Sequence, residues 1–262
     1  NADMEKKNQQ ITKSLTYAKL IQSAILPSDR YIRELIPDSF VFFRPRDIVS
    51  GDFYWFAEYD NKIFLAVADC TGHGVPGALM SMIGYTMLND IVNDEKVTSP
   101  SAVLGELNKD LVNLLHKGDF DEPVQSDGME IAFCAVDKKA GTFSVASANQ
   151  PVYFFAENEL KIIDGNIRSI GGMFSKMDNV RFDEHKFSYE PGTPIYMSTD
   201  GFCDQFGGPE RKKFMTSRFR RMLSEIHLRK MEDQLGHLTA VFDDWKGNES
   251  QIDDVLVVGI RL

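Results

Sequence analysis

Residues 63–78 read Ile63-Phe64-Leu65-Ala66-Val67-Ala68-Asp69-Cys70-Thr71-Gly72-His73-Gly74-Val75-Pro76-Gly77-Ala78. The apolar run before Asp69 has the composition of a β-strand. Asp69 ends it, and glycines follow at 72, 74 and 77, where a backbone must turn sharply or come close to an ion or ligand. Pro76 stands where a helix starts, since the N–H it lacks would be unpaired there anyway, and the Met, Leu and Ile content of 78–92 reads as a buried helix. The stretch therefore predicts a strand, an acidic glycine loop and a helix in direct succession.

Working outward, the run 53–59 joins 63–68 through an Asp60-Asn61 turn as a hairpin, and 40–43 is a further strand. Ser99 and Pro100 cap and open a helix whose Val103, Leu104, Leu107, Leu111, Leu114 and Leu115 share one face. Strands are then predicted at 130–136, 142–146, 152–156, 160–163, 182–187 and 195–198. Their connections are too short for helical crossovers, which implies an antiparallel meander. Helices near 210–226 and 230–245 precede a last strand over 254–260. The expected class is α+β: two packed antiparallel β-sheets flanked by α-helices, with an N-terminal helical extension.

Carboxylates recur at strand ends. Asp52 precedes Phe53, Asp69 follows Ala68, Asp200 follows Ser198-Thr199, and Asp253-Asp254 precedes Val255. Gathered in one place, such groups would repel one another and take up protons unless a cation neutralised them. The donors are oxygens, with no His or Cys at zinc-like spacing, so Mg²⁺ or Mn²⁺ suits them better than Zn²⁺. Singly, each Asp is also an ordinary turn cap. Glycines beside three of them, in Ser50-Gly51-Asp52, Asp69-Cys70-Thr71-Gly72 and Asp200-Gly201, favour a site.

These motifs, in this order over about 38–262, resemble the SpoIIE-like bacterial branch of the metal-dependent PPM serine/threonine protein phosphatases. The resemblance implies an αββα sandwich with two metals at one edge. It also implies hydrolysis of phosphoserine or phosphothreonine on a regulatory protein, such as an anti-sigma-factor antagonist, by a water activated between two Mn²⁺ or Mg²⁺ ions. Carried over by motif, Asp69 would bridge both metals, the Cys70 carbonyl and Asp52 would hold one, and Asp200 and Asp253 the other. Asp254 is the lesser member of its pair. Such chemistry needs no side-chain nucleophile, and the sequence shows no persuasive Ser/His/Asp or reactive-Cys arrangement.

His73, between two glycines, is expected to fix its loop rather than to ligate or shuttle protons. Arg46 reads either as a phosphoryl-binding group or as an ordinary surface arginine, and neither it nor Arg44 falls in clear register with the arginine that eukaryotic relatives place near the first acidic motif. The segment Asp127-Gly128-Met129-Glu130 resembles a recurrent piece of this branch and reads equally as a strand-entry turn; Gly171-Gly172-Met173 and Gln205-Phe206-Gly207-Gly208-Pro209 read as loops. Gly72-His73-Gly74-Val75-Pro76-Gly77 also satisfies the GxGxxG dinucleotide pattern. Asp69 beside a pyrophosphate, and a meander in place of a second parallel strand, make it a poor match.

The 262 residues carry a net charge of −10, with 43% hydrophobic and 26% charged residues, which excludes wholesale disorder and opposes broad attraction to nucleic acid. Three cysteines without a CxxC pair point to a reducing cytoplasm, and no run is long and apolar enough for a membrane span. Met4, Ile11, Ala18 and Ile25 recur every seven residues with Leu15 and Ile21 between them, and Pro27 ends the pattern. Residues 1–27 thus form a helix that either packs on its own domain or pairs with a second copy as a short coiled coil joined to an upstream sensor, the phosphatase domain then being 38–262. In that view the chain is the cytoplasmic output part of a larger, membrane-anchored or soluble, signalling protein. The contrasting reading is a noncatalytic or switched-off phosphatase-like interaction module.

Overall fold

The structure is a computed structural model that describes residues 2–115, 128–172 and 180–262. Helices α1 (Ala2–Ile25) and α2 (Asp29–Leu35) lead to strand β1 (Ser39–Arg44) and the hairpin of β2 (Phe53–Tyr59) and β3 (Lys62–Cys70). Asp60 and Asn61 both take positive φ, 52° and 59°, as a tight hairpin turn requires. Helix α3 (Gly74–Asn89) follows and widens into a π turn over Asp90–Asp94 before α4 (Pro100–Leu115). Next come β4 (Met129–Asp137), β5 (Thr142–Ala148), β6 (Val152–Ala156), β7 (Glu159–Ile163), β8 (Glu184–Ser188) and β9 (Pro194–Ser198). The chain closes with α5 (Gly201–Asp204), a ribbon of β10 (Phe206–Gly207) and β11 (Lys212–Lys213), α6 (Thr216–Ile226), α7 (Met231–Lys246) and β12 (Val255–Arg261).

Two five-stranded antiparallel sheets result, in the orders β2-β3-β4-β5-β8 and β1-β12-β9-β6-β7. Alternation explains why the strands are almost continuously apolar. Along β4, Ile131 and Phe133 face the core under α3 and α4, whereas Ala132, Cys134 and Val136 face the core between the sheets. Along β12, Leu256, Val258 and Ile260 enter that middle core while Val255 and Val257 meet α6 and α7. Both sheet faces are thus buried, in four layers, as the packed-sheet expectation required.

The single meander does not form. β6, β7 and β9 leave the sheet of β4 and β5 for the other one, because the apolar faces of two sheets must cover each other and short loops allow the chain to cross between them. The helix expected near 210–226 begins only at Thr216, since Gly208, Arg211 and Met215 all take positive φ and build the ribbon in its place. α3 starts at Gly74, earlier than residue 78, which leaves Pro76 inside its first turn. α2 and α5 were not legible, being too short for periodicity to show. Among the described residues no helix is long and apolar enough to cross a membrane, and Cys70, Cys134 and Cys203 are buried and unpaired with one another.

Candidate functional site

In an antiparallel sheet the end of one strand lies beside the start of the next, so carboxylates at alternating starts and ends collect at one rim. Phe53 pairs with Ala68, which sets Asp52 against the end of β3. Asp69 and Cys70 pair with Glu130 and Met129 at the start of β4. In the other sheet Val257 pairs with Ser198, which brings Asp200 and Asp253-Asp254 to the same side.

Contacts between the sheets lock this rim. Thr199 Oγ1 donates to Asp52 Oδ2 at 2.7 Å. Asp254, which is buried, accepts from the Gly51 N–H at Oδ2 and from the Arg46 N–H at Oδ1, both at 2.7 Å. Asp254 therefore spends both oxygens on backbone donors, whereas among the described residues the Asp253 carboxylate accepts only the N–H of Asp254, at 2.9 Å. The two neighbouring carboxylates thus make different contacts.

The glycines fit close contacts. A Cβ on Gly77 would stand 2.2 Å from the Gly72 carbonyl oxygen, and one on Gly51 would stand 2.7 Å from the same atom and 3.2 Å from the Cys70 carbonyl oxygen. Gly72 takes a φ of 87°, which suits glycine alone. The tight loop keeps the Cys70 carbonyl beside the Asp52 segment while the thiol stays in the core, where burial drives its pKa well above normal.

The electrostatics of the rim are those of desolvated carboxylates with little counter-charge. Loss of water, then the charge of Asp69, raises the Asp52 pKa far above the carboxylate range, against the opposing Thr199 hydrogen bond. Asp69 is pushed up to about 8 by burial and then by Asp200, Asp253, Glu130 and Asp254. Asp200 rises to about 6, through desolvation first and Asp253 next. Asp253 is also raised, mainly by desolvation, while Arg46 and His73 pull it down.

Asp52 thus feels Asp69 and Asp253, Asp69 feels Asp200 and Asp253, and Asp200 feels Asp253. Among the described residues no group of three or more His, Cys, Asp or Glu side chains is drawn together closely enough to enclose an ion. Their fit to divalent cations rests on donor chemistry: hard oxygens, strong mutual repulsion and too little nearby positive charge to relieve it.

His73 occupies the N-cap of α3 without a side-chain capping bond, and its Nδ1 lies 3.0 Å from Asp47 Oδ2. This ring contact anchors the glycine loop to the 47–50 segment, in keeping with a structural role. Arg46 is exposed and its charge reaches Asp253. Arg44 instead pairs with Asp243 and stacks over Phe42 and Phe242, away from any phosphate role. Gly128 donates its N–H to Thr71 Oγ1 and its carbonyl accepts from Thr71 N, so that part of the 127–130 segment buttresses the glycine loop. Asp127 and Met173 lie outside the described residues. The GxGxxG reading fails on topology, because β3 is antiparallel to both its neighbours.

Three participants escaped the sequence. Glu130 faces Asp69 across the β3–β4 register and is held by Asn149 Nδ2, with a raised pKa chiefly from desolvation. Thr199, one residue before Asp200, carries no chemical signal in the sequence, and its hydroxyl bonds Asp52. Gln22 of α1 is buried and grips the Ser50 backbone twice, Nε2 donating to the carbonyl at 2.7 Å and Oε1 accepting the N–H at 3.0 Å. Its position at the buried stripe of α1 was the available signal: a polar residue one turn from Ala18 and Ile25.

Residues 59–262 match the family model described as stage II sporulation protein E (SpoIIE). The chain is 28% identical over 165 residues to the phosphoserine phosphatase RsbU of Bacillus subtilis (strain 168), covering 61% of this chain and 44% of that protein, so it spans less than half of that relative's length. Among solved structures it is similar to the SiaA-PP2C domain of Pseudomonas aeruginosa, at a TM-score of 0.87 and 31% identity over 98% of each chain. The PP2C phosphatase domain and regulatory-domain fragment of SpoIIE from Bacillus subtilis aligns at a TM-score of 0.66 and 16% identity, over 86% of this chain and 63% of that one, a likeness of fold.

Proposed function

Because this chain belongs to the SpoIIE-like branch of the metal-dependent PPM phosphatases, we propose that it hydrolyses phosphoserine or phosphothreonine on a regulatory protein. The observation that carries the reading is the crowding of Asp52, Asp69, Asp200 and Asp253 at one rim, where desolvation first and neighbouring carboxylates next raise their pKa values more than Arg46, His73 and Lys213 lower them.

These four carboxylates and the Cys70 carbonyl would hold two divalent cations, Mn²⁺ or Mg²⁺. Such cations, when bound, neutralise phosphoryl charge and increase the acidity of water. The chain's own residues supply the frame. Asp254 fixes the Ser50-Gly51-Asp52 segment against β12, Thr199 orients Asp52, Gly77 lets α3 approach the Gly72 carbonyl, and Gly51 lets its segment approach the Cys70 carbonyl. Arg46 is offered as the phosphoryl-binding cation, being exposed beside Asp253 and suited to bidentate contact. An Arg46→Ala variant with unchanged KM and kcat would sink that assignment.

The substrate is proposed to be a phosphorylated signalling regulator of the anti-sigma-factor-antagonist kind, and residues 38–262 to be the phosphatase domain of a cytoplasmic output module. α1 supports a homodimer arrangement: Met4 and Ile11 are 69% and 58% exposed, while Ala18, Gln22 and Ile25 on the same stripe pack inward. Deletion of residues 2–25 that changed neither oligomeric state nor metal-dependent activity would refute it.

The decisive experiment follows aryl phosphate hydrolysis with and without Mn²⁺, in the parent and in Asp69→Asn. The reading expects activity that chelator abolishes and the variant lacks. Folded parent that stays inactive at saturating Mn²⁺ would hand the lead to the interaction-module reading.

A further inference from the structure

A second surface lies just beyond Asp200. The ribbon of β10 and β11 and the first turn of α6 enclose a solvent-open pocket of about 600 Å³. Its ionisable lining residues are all basic: Arg211, Lys212, Lys213, Arg218 and Arg221. On a chain of net charge −10, this concentration of one sign runs against the average surface.

Two large apolar side chains share the pocket, Phe206 at 39% exposure and Met215 at 53%. Met215 holds φ 76° and ψ 142°, a backbone region that a side-chain-bearing residue enters only under strain. Its N–H donates to the Cys203 carbonyl at 2.7 Å, and its carbonyl accepts from Phe219 N and Arg218 N at the start of α6. The strain therefore keeps an exposed thioether at a rigid junction rather than burying it. Rigidity comes also from Gly207 and Gly208, where an added Cβ would run into Trp245.

The pocket is joined to the rim. Lys213 Nζ pairs with Asp204 Oδ2 at 2.7 Å, and Asp204 ends the four-residue α5 that Asp200 caps. Among the described residues Arg218 has no carboxylate partner: its guanidinium lies 4.4 Å from the Trp245 ring centroid and reaches the Lys213 and Phe214 carbonyls. Arg211, Lys212 and Arg221 pair with Glu249, Glu210 and Glu225, which are not among the lining residues; for Lys212 and Arg221 both partners are exposed. Pairs of this kind contribute little and exchange readily for another anion.

We propose that this pocket is an exosite for the phosphoprotein substrate, taking an acidic segment that carries an apolar side chain, outside the phosphorylated residue itself. The inference rests on the phosphatase reading above for the identity of the partner. Basic side chains match the acidic segment, Phe206 and Met215 match its apolar residue, and the Lys213–Asp204 pair ties the pocket to α5, whose N-cap is Asp200.

The test uses a fluorescently labelled peptide with a central phosphoserine and arms of alternating glutamate and leucine, and a second peptide with glutamine in place of glutamate. Binding is read by anisotropy on the full chain and on an Arg211→Glu/Arg221→Glu double variant, whose changed positions are exposed and outside the carboxylate rim. The parent should prefer the glutamate peptide, and the variant should bind it about tenfold more weakly, about 1.4 kcal/mol, with KM raised alike, kcat kept and aryl phosphate hydrolysis unchanged. Equal binding of the two peptides by the parent, or an unchanged affinity in the variant, overturns the exosite. So does a variant effect seen only with phosphatidylserine vesicles. Loss of the phosphatase reading shows separately, as an Mn²⁺-loaded parent inert toward aryl phosphate, while anisotropy still reports on the pocket.

Discussion

Asp254 holds Gly51 across 203 positions of sequence, its Oδ2 accepting the Gly51 N–H at 2.7 Å while its Oδ1 accepts the Arg46 N–H. One buried carboxylate thereby seats both the segment that carries Asp52 and the one that carries Arg46. Asp254→Asn leaves one of these N–H groups facing an NH₂, and the unmade bond to a buried donor costs about 1–3 kcal/mol. The expected result is a lower melting temperature and weakened hydrolysis together. Asp253→Asn should differ, with stability kept and hydrolysis lost, so thermal melts beside aryl phosphate rates separate the two aspartates.

Metal-free protein should lose stability as pH rises. Asp69 sits at about 8 in the fold against an ordinary 3.8, and Asp200 at about 6. Between the unfolded and folded values the native state binds more protons, so unfolding free energy falls with increasing pH across roughly pH 4–8. Melting temperature in chelator is expected to be higher at pH 6 than at pH 8. Mn²⁺ should reverse the trend, with proton release on binding visible by calorimetry in two buffers of different ionisation enthalpy. A flat profile would show that the four carboxylates do not share a field.

Asp69→Asn removes one charge from that field. The metal-free variant should melt at a higher temperature than the parent at pH 8, while its Mn²⁺-dependent rise shrinks and activity falls by two orders of magnitude or more, on the order of 3 kcal/mol in the barrier. Stabilisation with loss of function is the signature of a functional rather than structural carboxylate.

Gly77→Ala places a methyl 2.2 Å from the Gly72 carbonyl oxygen, a backbone atom that cannot swing aside. Overpacking of this kind costs about 1–3 kcal/mol. Because Gly72 and Gly51 share the contact, the displacement reaches Cys70 and Asp52, and Mn²⁺ affinity measured by titration should drop with stability.

Gln22→Ala cuts α1 from the Ser50 backbone and from Ser81 Oγ, leaving the buried Ser50 N–H unpaired. A fall in stability of about 1–3 kcal/mol is expected. If α1 steers the rim through this contact, Gln22→Glu, which keeps the acceptor and loses the donor, restores only part of the activity. Equal activity in all three proteins would confine Gln22 to a packing role.

Local patterns carried far in this chain. The hairpin turn at Asp60-Asn61, the helix starting near Pro76, the α4 stripe and nearly every strand were readable because turn chemistry and side-chain period act within a few residues. The two failures of architecture have one cause. Which sheet receives β6, β7 and β9 depends on how two buried faces cover each other, and the ribbon before α6 depends on three residues driven to positive φ by contacts with distant partners such as Cys203 and Trp245. Short elements such as α2 and α5 lack the length for a period.

For the site, the acidic residues and their glycines could be named from sequence alone, since an aspartate closing an apolar run beside a glycine is visible without a fold. Only the tertiary structure decided that Glu130 stands opposite Asp69, that Thr199 reaches Asp52, that Gln22 holds Ser50, and that Asp254 clamps the backbone of Arg46 and Gly51. Those contacts link positions tens to hundreds of residues apart, and they exist because antiparallel register and sheet-on-sheet packing bring strand ends together. Sequence determined which groups could do chemistry; packing determined which of them meet.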